Sequence, residues 1–396
     1  MTLLKRNREK SNIYLLLLKL SHLLFLTYSL LGHIPLFKTP LKYSTFIAIG
    51  LFILNFFMQY NRAPIKEVGV YATLMIVSLI QSYFSGNYGL FKLVLFAGSI
   101  RKVDFKDIVR FDMYLRAVLI ALCALLCAVG IAPDVVTTYY GVVRRSMGFT
   151  NPNTLGVAVF VLICDILYVY DCKLNFRRLA IITAISFWLY TFARSRTATY
   201  MIILVVLLSL IYTLRPSLFK KNSMKIVLII LPIIFAVLTF VFLNLYIDNH
   251  PIAIEVNELL SGRIKSIANF AKILTPKLWG QPIHETLDKT LDNTYGFIWY
   301  DLGIIVFFMF FISYTKLIKR NHQFNNISLC IVFFAFMVYG LSEHLWINVD
   351  YNIFMIALFY NPEKFIKQED HEHLSHREYY QRYDFSKLKT NSDFGD

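Results

Sequence analysis

Residues 226–247, IVLIILPIIFAVLTFVFLNLYI, decide the fold. The run carries no charge, and about 20 such residues in a helix cross the hydrocarbon core of a bilayer. Working outward from it, runs of similar character recur along the chain. They predict twelve spans, roughly 13–31, 42–58, 67–84, 88–100, 114–131, 153–170, 179–193, 197–214, 226–247, 294–314, 327–345 and 348–361. The fourth, seventh and last are short and fit tilted or partly re-entrant segments as well as full spans. The 396 residues are 57% hydrophobic with mean hydropathy +0.54, more apolar content than a soluble domain of this length needs. The expected fold class is therefore an all-α polytopic membrane protein, one unit over 1–361 followed by a polar tail at 362–396.

Charge orients the spans. Lys5, Arg6, Arg8 and Lys10 precede the first run, and no small-residue cleavage site follows it, so it is expected to be a first transmembrane helix with a cytoplasmic N-terminus. On that basis the inner loops hold Arg62 and Lys66, then Arg101, Lys102, Lys106 and Arg110, then Lys173, Arg177 and Arg178, then Arg215, Lys220, Lys221 and Lys225, then Lys316, Lys319 and Arg320. Every one is basic, as the positive-inside bias requires. The net charge of +15 is mostly inner-face charge scattered over loops, which does not call for nucleic acid. The five cysteines, Cys123, Cys127, Cys164, Cys172 and Cys330, fall in spans or inside, where a disulfide framework is not expected. In the tail, Ser375 and Glu378 are spaced as a capping box, and His371, His373 and His376 suit a solvated segment better than a metal site.

The same topology leaves five arginines on the outer side: Arg144, Arg145, Arg194, Arg196 and Arg263. Outward arginines beside helix ends point to a bound anion, because guanidinium groups clasp phosphate oxygens bidentately and stay charged. Arg194-Ser195-Arg196 joins two spans by a tight turn. Arg144 and Arg145 lie just before Asn151-Pro152-Asn153, a turn into a helix that Asn151 or Asn153 caps. In the outer loop 248–293, Leu260, Ile264, Ile267, Ala271 and Leu274 recur at helical spacing and predict an amphipathic helix, a lid with Ser261 as its N-cap and Arg263 in its first turn. Asp292 opens the tenth span and reads either as a helix cap or as a general base. Asp301 is an intramembrane acid, a functional candidate or an arginine's partner. Glu343, His344 and Asp350 flank the turn between the last two spans, and His284 lies in the long loop. Asp165, His22 and Lys19 fall within spans, where roles in helix pairing are expected.

Absences narrow the chemistry. No outer segment holds Asp-x-Asp, and no Walker A motif, dinucleotide fingerprint or nucleophile elbow occurs. No metal and no cofactor are expected; arginines would supply the charge neutralisation.

Five segments in order carry a family likeness: Arg-x-x-Gly-Phe-x-Asn-Pro-Asn at 145–153, Ser-Arg-Thr-Ala at 195–198, Ser-Gly-Arg at 261–263, Leu-Trp-Gly at 278–280, and Asp-Asn-x-Tyr with Leu-Gly-Ile at 292–304. The region from about 140 to 350 resembles the Wzy polymerase and O-antigen ligase family, most of all its capsular and exopolysaccharide polymerases. That resemblance implies a GT-C-like helical bundle and a metal-independent, inverting glycosyltransferase of a bacterial plasma membrane, with both termini cytoplasmic. It implies undecaprenyl-diphosphate-linked oligosaccharides as donor and acceptor, with a chain-length regulator and a flippase as further partners. The family's diphosphate-binding arginines carry over to Arg145, Arg196 and Arg263, with Arg144 and Arg194 added by position. Asp292 stands where the ligase branch has histidine and becomes the candidate base. Glu343 and His344 are further catalytic candidates, with Asn151, Asn153 and Tyr295 in support. A ligase acting on a wall acceptor, a flippase or exporter of the same lipid-linked saccharide, and a non-catalytic assembly partner are the rival readings.

Overall fold

The computed structural model describes residues 2–61, 63–101, 103–139, 142–283, 291–349 and 351–358, with side chains from residue 12 onward. His284, Asp350 and the tail residues Ser375, Glu378, His371, His373 and His376 lie outside them. The chain divides into a unit to residue 360 and a second unit from 361, and the helices and the site all belong to the first.

The helices are α1 (Thr2–Leu31), α2 (Pro35–Tyr60), α3 (Ile65–Ser85), α4 (Gly89–Gly98) and α5 (Phe105–Ala128). A hairpin of β1 (Val136–Tyr139) and β2 (Val142–Arg145) follows, then α6 (Pro152–Val169), α7 (Phe176–Trp188), α8 (Arg196–Leu214), α9 (Pro216–Phe219) and α10 (Asn222–Ile247). Two short helices, α11 (Pro251–Leu259) and α12 (Arg263–Ala271), precede α13 (Thr294–Phe297), α14 (Ile304–Gln323) and α15 (Ile327–Tyr339). Among the described residues seven helices are long and apolar enough to cross a membrane: α1, α2, α3, α5, α6, α8 and α10. Their exposed faces are themselves apolar, with Leu16, Phe46, Ile76, Tyr200 and Val237 outward, as contact with lipid demands.

The centre is built from α6 and α15, both buried along nearly their whole length. Phe160 meets Tyr339 edge to face at 4.9 Å between centroids, and Trp346 stacks on Phe310 at 4.3 Å. Three apolar runs expected to be spans take other forms. Residues 89–98 are a ten-residue helix buried among its neighbours, and Ile353–Leu358 are a short 3-10 helix, wholly buried. The tenth run breaks: α13 passes into a π-helical turn at Ile298–Leu302, and Gly303 (φ 98°) restarts the chain as α14. The break exists because two backbones touch there. A Cβ on Gly303 would lie 2.3 Å from the Gly280 nitrogen, and one on Gly280 would lie 2.1 Å from the Asp301 carbonyl.

Inside the bundle, α1, α5 and α6 meet at four buried polar side chains. Arg116 donates to Asp112 at 2.9 and 3.1 Å, His22 Nε2 lies 2.5 Å from Asp112, and Arg116 lies 3.6 Å from Asp165. Of these, Asp112 and Arg116 do not stand out in the sequence. Asp301 takes its hydrogen bond from Asn87 at 2.7 Å, so its partner is an amide and not an arginine. Lys19 lies 5.7 Å from the centre of the Phe111 ring.

Two changes test this packing. Arg116→Leu strips the guanidinium from two buried carboxylates and is expected to cost about 3–5 kcal/mol, read as lost thermal stability in detergent. Gly303→Ala is expected to lose folded protein on size-exclusion chromatography. Gly50→Ala, in α2 with open space around it, is expected to keep it or gain slightly.

Candidate functional site

Three arginine-bearing segments converge where α6, α8 and α12 begin. A cavity of about 220 Å³ lies between them, lined by Arg144, Asn153, Arg196, Thr197, Ser261 and Arg263. Helix N-termini present N–H groups and a partial positive charge, which favour anions.

Each side chain arrives there for a local reason. Asn151 is extended and caps α6, accepting from the Thr154 amide at 2.8 Å, and Pro152 occupies the first helical position. This fixes the next residue, Asn153, in the first turn. In the hairpin, Thr137 pairs with Arg144 and Val136 with Arg145, so the two arginines point to opposite faces. Arg144 turns inward and donates to Asn153 Oδ1 at 2.5 Å. Arg145 turns out to Asp134 at 2.6 Å and does not line the cavity. Likewise Arg194 and Arg196 diverge around Ser195. Ser195 packs so closely on α6 that a Cβ on Gly156 would lie 2.3 Å from its Oγ. Arg194 has left-handed backbone (φ 53°) and folds over the Tyr190 ring, 5.9 Å from its centre. Arg196 faces the cavity.

The expected helix over 260–274 is shorter than its apolar pattern. Ser261 and Gly262 are both left-handed, at φ 56° and 84°, and Gly262 occupies the N-cap position. Ser261 therefore lines the cavity instead of capping α12. Asn257 supplies the cap, accepting from the Lys265 amide at 2.8 Å. The apolar face of α12 (Ile264, Ile267, Ala268 and Phe270) is buried in the protein.

Behind the cavity Arg263 joins two carboxylates. It donates through Nη1 to Asp292 and through Nη2 to Glu343 Oε1 at 2.8 Å. Glu343 Oε1 also accepts from Asn153 Nδ2 at 3.0 Å. The chain from Arg144 through Asn153, Glu343 and Arg263 to Asp292 thus links segments distant in sequence. Asn293, not Asp292, caps α13, accepting from the Gly296 amide at 2.9 Å. Asn293 and Thr294 hold the turn at 341–343 through bonds of 2.9 Å to the Leu341 carbonyl and 2.6 Å to the Glu343 carbonyl. Tyr295 is buried, donates to the Met337 carbonyl at 2.9 Å and packs against Trp346. His344 stacks on Phe297 at 4.8 Å and, like Tyr295, is not in the cavity wall.

Burial pushes the Glu343 carboxyl up to about 7, with Asp292 adding to the rise and Arg263 and Arg144 opposing it. Three guanidinium groups thus face two carboxylates, one of which is poised to take a proton near neutrality. The cavity keeps a positive excess and suits a small polyanion of diphosphate size. Among the described residues no group of three or more His, Cys, Asp or Glu side chains is placed to hold a metal ion. No family model, no curated protein and no solved structure matches the chain.

Two site features are missing from the expectations drawn on sequence: Thr197 and Ser261 as cavity walls, and the choice of Arg144 over Arg145. Strand alternation in the hairpin carries the signal for the second.

Protonating Glu343 removes a negative charge from beside Arg263 and Arg144, so anion binding should strengthen as pH falls through about 7. Titration of purified protein with inorganic diphosphate across that pH would show the slope, and Glu343→Gln should flatten it.

Proposed function

We propose that this protein is a Wzy-type polysaccharide polymerase. It would join undecaprenyl-diphosphate-linked repeat units at the outer face of a bacterial plasma membrane, from a polytopic GT-C-like helical bundle with both termini cytoplasmic. The observation that supports this reading most is the cavity lined by Arg144, Arg196 and Arg263, with Asp292 and Glu343 bonded behind it.

The chemistry comes from the charges. The C1–O bond from the donor sugar to its diphosphate breaks, and the electron pair leaves with the lipid diphosphate. Negative charge grows on that leaving group in the transition state, where guanidinium groups already in place stabilise it. A hydroxyl oxygen of the acceptor forms the new bond to C1 from the opposite side, inverting the anomeric centre. Its proton passes to the Asp292 carboxylate, the group nearest that role by sequence likeness. Glu343 positions Arg263 and Asn153 and sets the charge balance. The resemblance carries a diphosphate role to Arg145, whereas the cavity favours its neighbour Arg144. A chain-length regulator and a flippase belong to the same proposal as partners.

Ligation to a wall acceptor would use the same donor site, and Asp292 in place of the ligase histidine weighs against it. Export of the lipid-linked saccharide draws on one observation, the buried His22, Asp112, Arg116 and Asp165 cluster. In that cluster Asp112 is paired with Arg116 and His22, while Asp165 meets Arg116 only at 3.6 Å, and no chain of polar groups is seen to lead from it across the described residues.

The test is polymer formation from lipid-linked repeat units by purified variants. Arg196→Ala is expected to lower the rate about 10²–10³-fold and Asp292→Ala about 10²–10⁴-fold, both with folded protein retained. Arg145→Ala should keep most of the activity. Normal polymer from both Arg196→Ala and Asp292→Ala would remove the assignment.

A further inference from the structure

A second cavity lies beside the arginine turn and contains no charge. It is a cleft of about 430 Å³ between α5, α6 and α7, with Ala117, Ala121 and Ala124 on one wall and Val159, Ile185 and Trp188 among the others. We propose that this cleft holds the isoprenoid chain of a lipid diphosphate whose head group lies at Arg194 and Arg196. The inference rests on the function proposed above and adds to it where the lipid runs.

Three observations carry it. The first is loose packing: α7 buries Ile182 alone among its thirteen residues. Ile185 and Trp188 are partly buried against the core, and the π-helical turn that follows buries Leu189 and Ala193. The cleft is the space α7 leaves by standing off α5 and α6. The second is continuity. Trp188, at one end of the cleft, leads directly into that turn and so to Arg194. Val159 lies about one helical turn from Gly156, on which Ser195 packs. The arginine turn is therefore reached from the cleft along both α6 and the end of α7. The third is charge: the turn that follows Trp188 carries Arg194, which lies over Tyr190, and Arg196, which lines the 220 Å³ cavity.

The surroundings select the occupant. α5 and α6 are both apolar enough to span, so the cleft opens at hydrocarbon depth. Its apolar walls offer water almost nothing to bond, and hydrocarbon fills it. Alanines at 117, 121 and 124 share one face of α5 and leave lateral room there. An isoprenoid chain carries a methyl branch on every unit and uses that room, while a straight acyl chain does not.

The experiment uses the full chain in nanodiscs and a polyprenyl diphosphate with a mid-chain diazirine. Labelled peptides are mapped by mass spectrometry, and inorganic diphosphate binding is measured separately. The wild type is expected to label in α5, α6 and α7. Ala121→Trp should lower that labelling at least about tenfold, equivalent to ~1.4 kcal/mol, with inorganic diphosphate binding unchanged. Ala124→Leu serves as a milder filling should Ala121→Trp fail to fold. Labelling confined to other helices, or unchanged in the folded filling variant, overturns the cleft assignment. So does equal, competing labelling by a straight-chain diazirine phospholipid. Failure of the functional reading has a different signature: inorganic diphosphate would not bind, or would bind equally well to Arg196→Ala.

Discussion

The Arg263 guanidinium bridges two carboxylates, Asp292 and Glu343, that lie about fifty residues apart in sequence. Almost every feature of the charged end depends on that bridge. A carboxylate as buried as Glu343 is costly unless its oxygens are bonded, and here one oxygen accepts from both Arg263 and Asn153. Asn153 is in turn fixed by the cap at Asn151 and grips Arg144. One guanidinium, through two ion pairs, therefore sets the hairpin, the start of α6, the start of α12 and the turn after α15 relative to each other. Removing it would leave two acids facing each other, which explains why an arginine tolerates the first turn of a helix here.

A second charge problem is solved deeper in the bundle. Asp112, Arg116, Asp165 and His22 lie within apolar helices and are fully buried. Charged groups there persist only when they answer one another. Arg116 answers both acids, directly to Asp112 and at 3.6 Å to Asp165, and the imidazole of His22 closes the other side of Asp112. The three helices that carry these groups are thereby matched in register as well as packed. Such specificity does not come from apolar surfaces alone, because lipid tails compete equally for them.

Much of this is legible in the residues. Seven of the expected spans correspond to long apolar helices, because hydropathy over about twenty residues reports the solvent of a helix directly. Arg196 and Arg263, far apart in sequence, line one cavity. What the pattern does not reveal is whether an apolar run meets lipid or protein. Residues 89–98 and 353–358 are as apolar as a span and are buried in the protein. Nor does it expose the hairpin at 136–145, whose β-branched residues resemble an ordinary loop between helices. That hairpin decides which of two adjacent arginines enters the cavity. Ser261 resembles an N-cap by composition, but the adjacent glycine accepts the left-handed backbone at the helix start and a distant Asn257 does the capping.

Backbone strain recurs at the same places. Met147, Arg194 and Ser261 are all non-glycine residues with left-handed backbone, and each lies within two residues of Arg145, Arg196 or Arg263. Conformations of this kind cost of order 1–3 kcal/mol each and survive only where surrounding structure over-determines them. The determinants are visible: Gly148 against the Cys123 carbonyl, Gly156 against Ser195, and Asn257 on the first turn of α12. Each sharp bend re-aims a side chain that a regular helix or strand would direct elsewhere. At Ser195 the bend sends one arginine into the cavity and its neighbour over the Tyr190 ring. Other left-handed residues, Asp171, Cys172, Asn249 and Asn325, follow the ends of helices, where such a conformation simply turns the chain; at Arg194 and Ser261 it also aims the side chains beside the cavity.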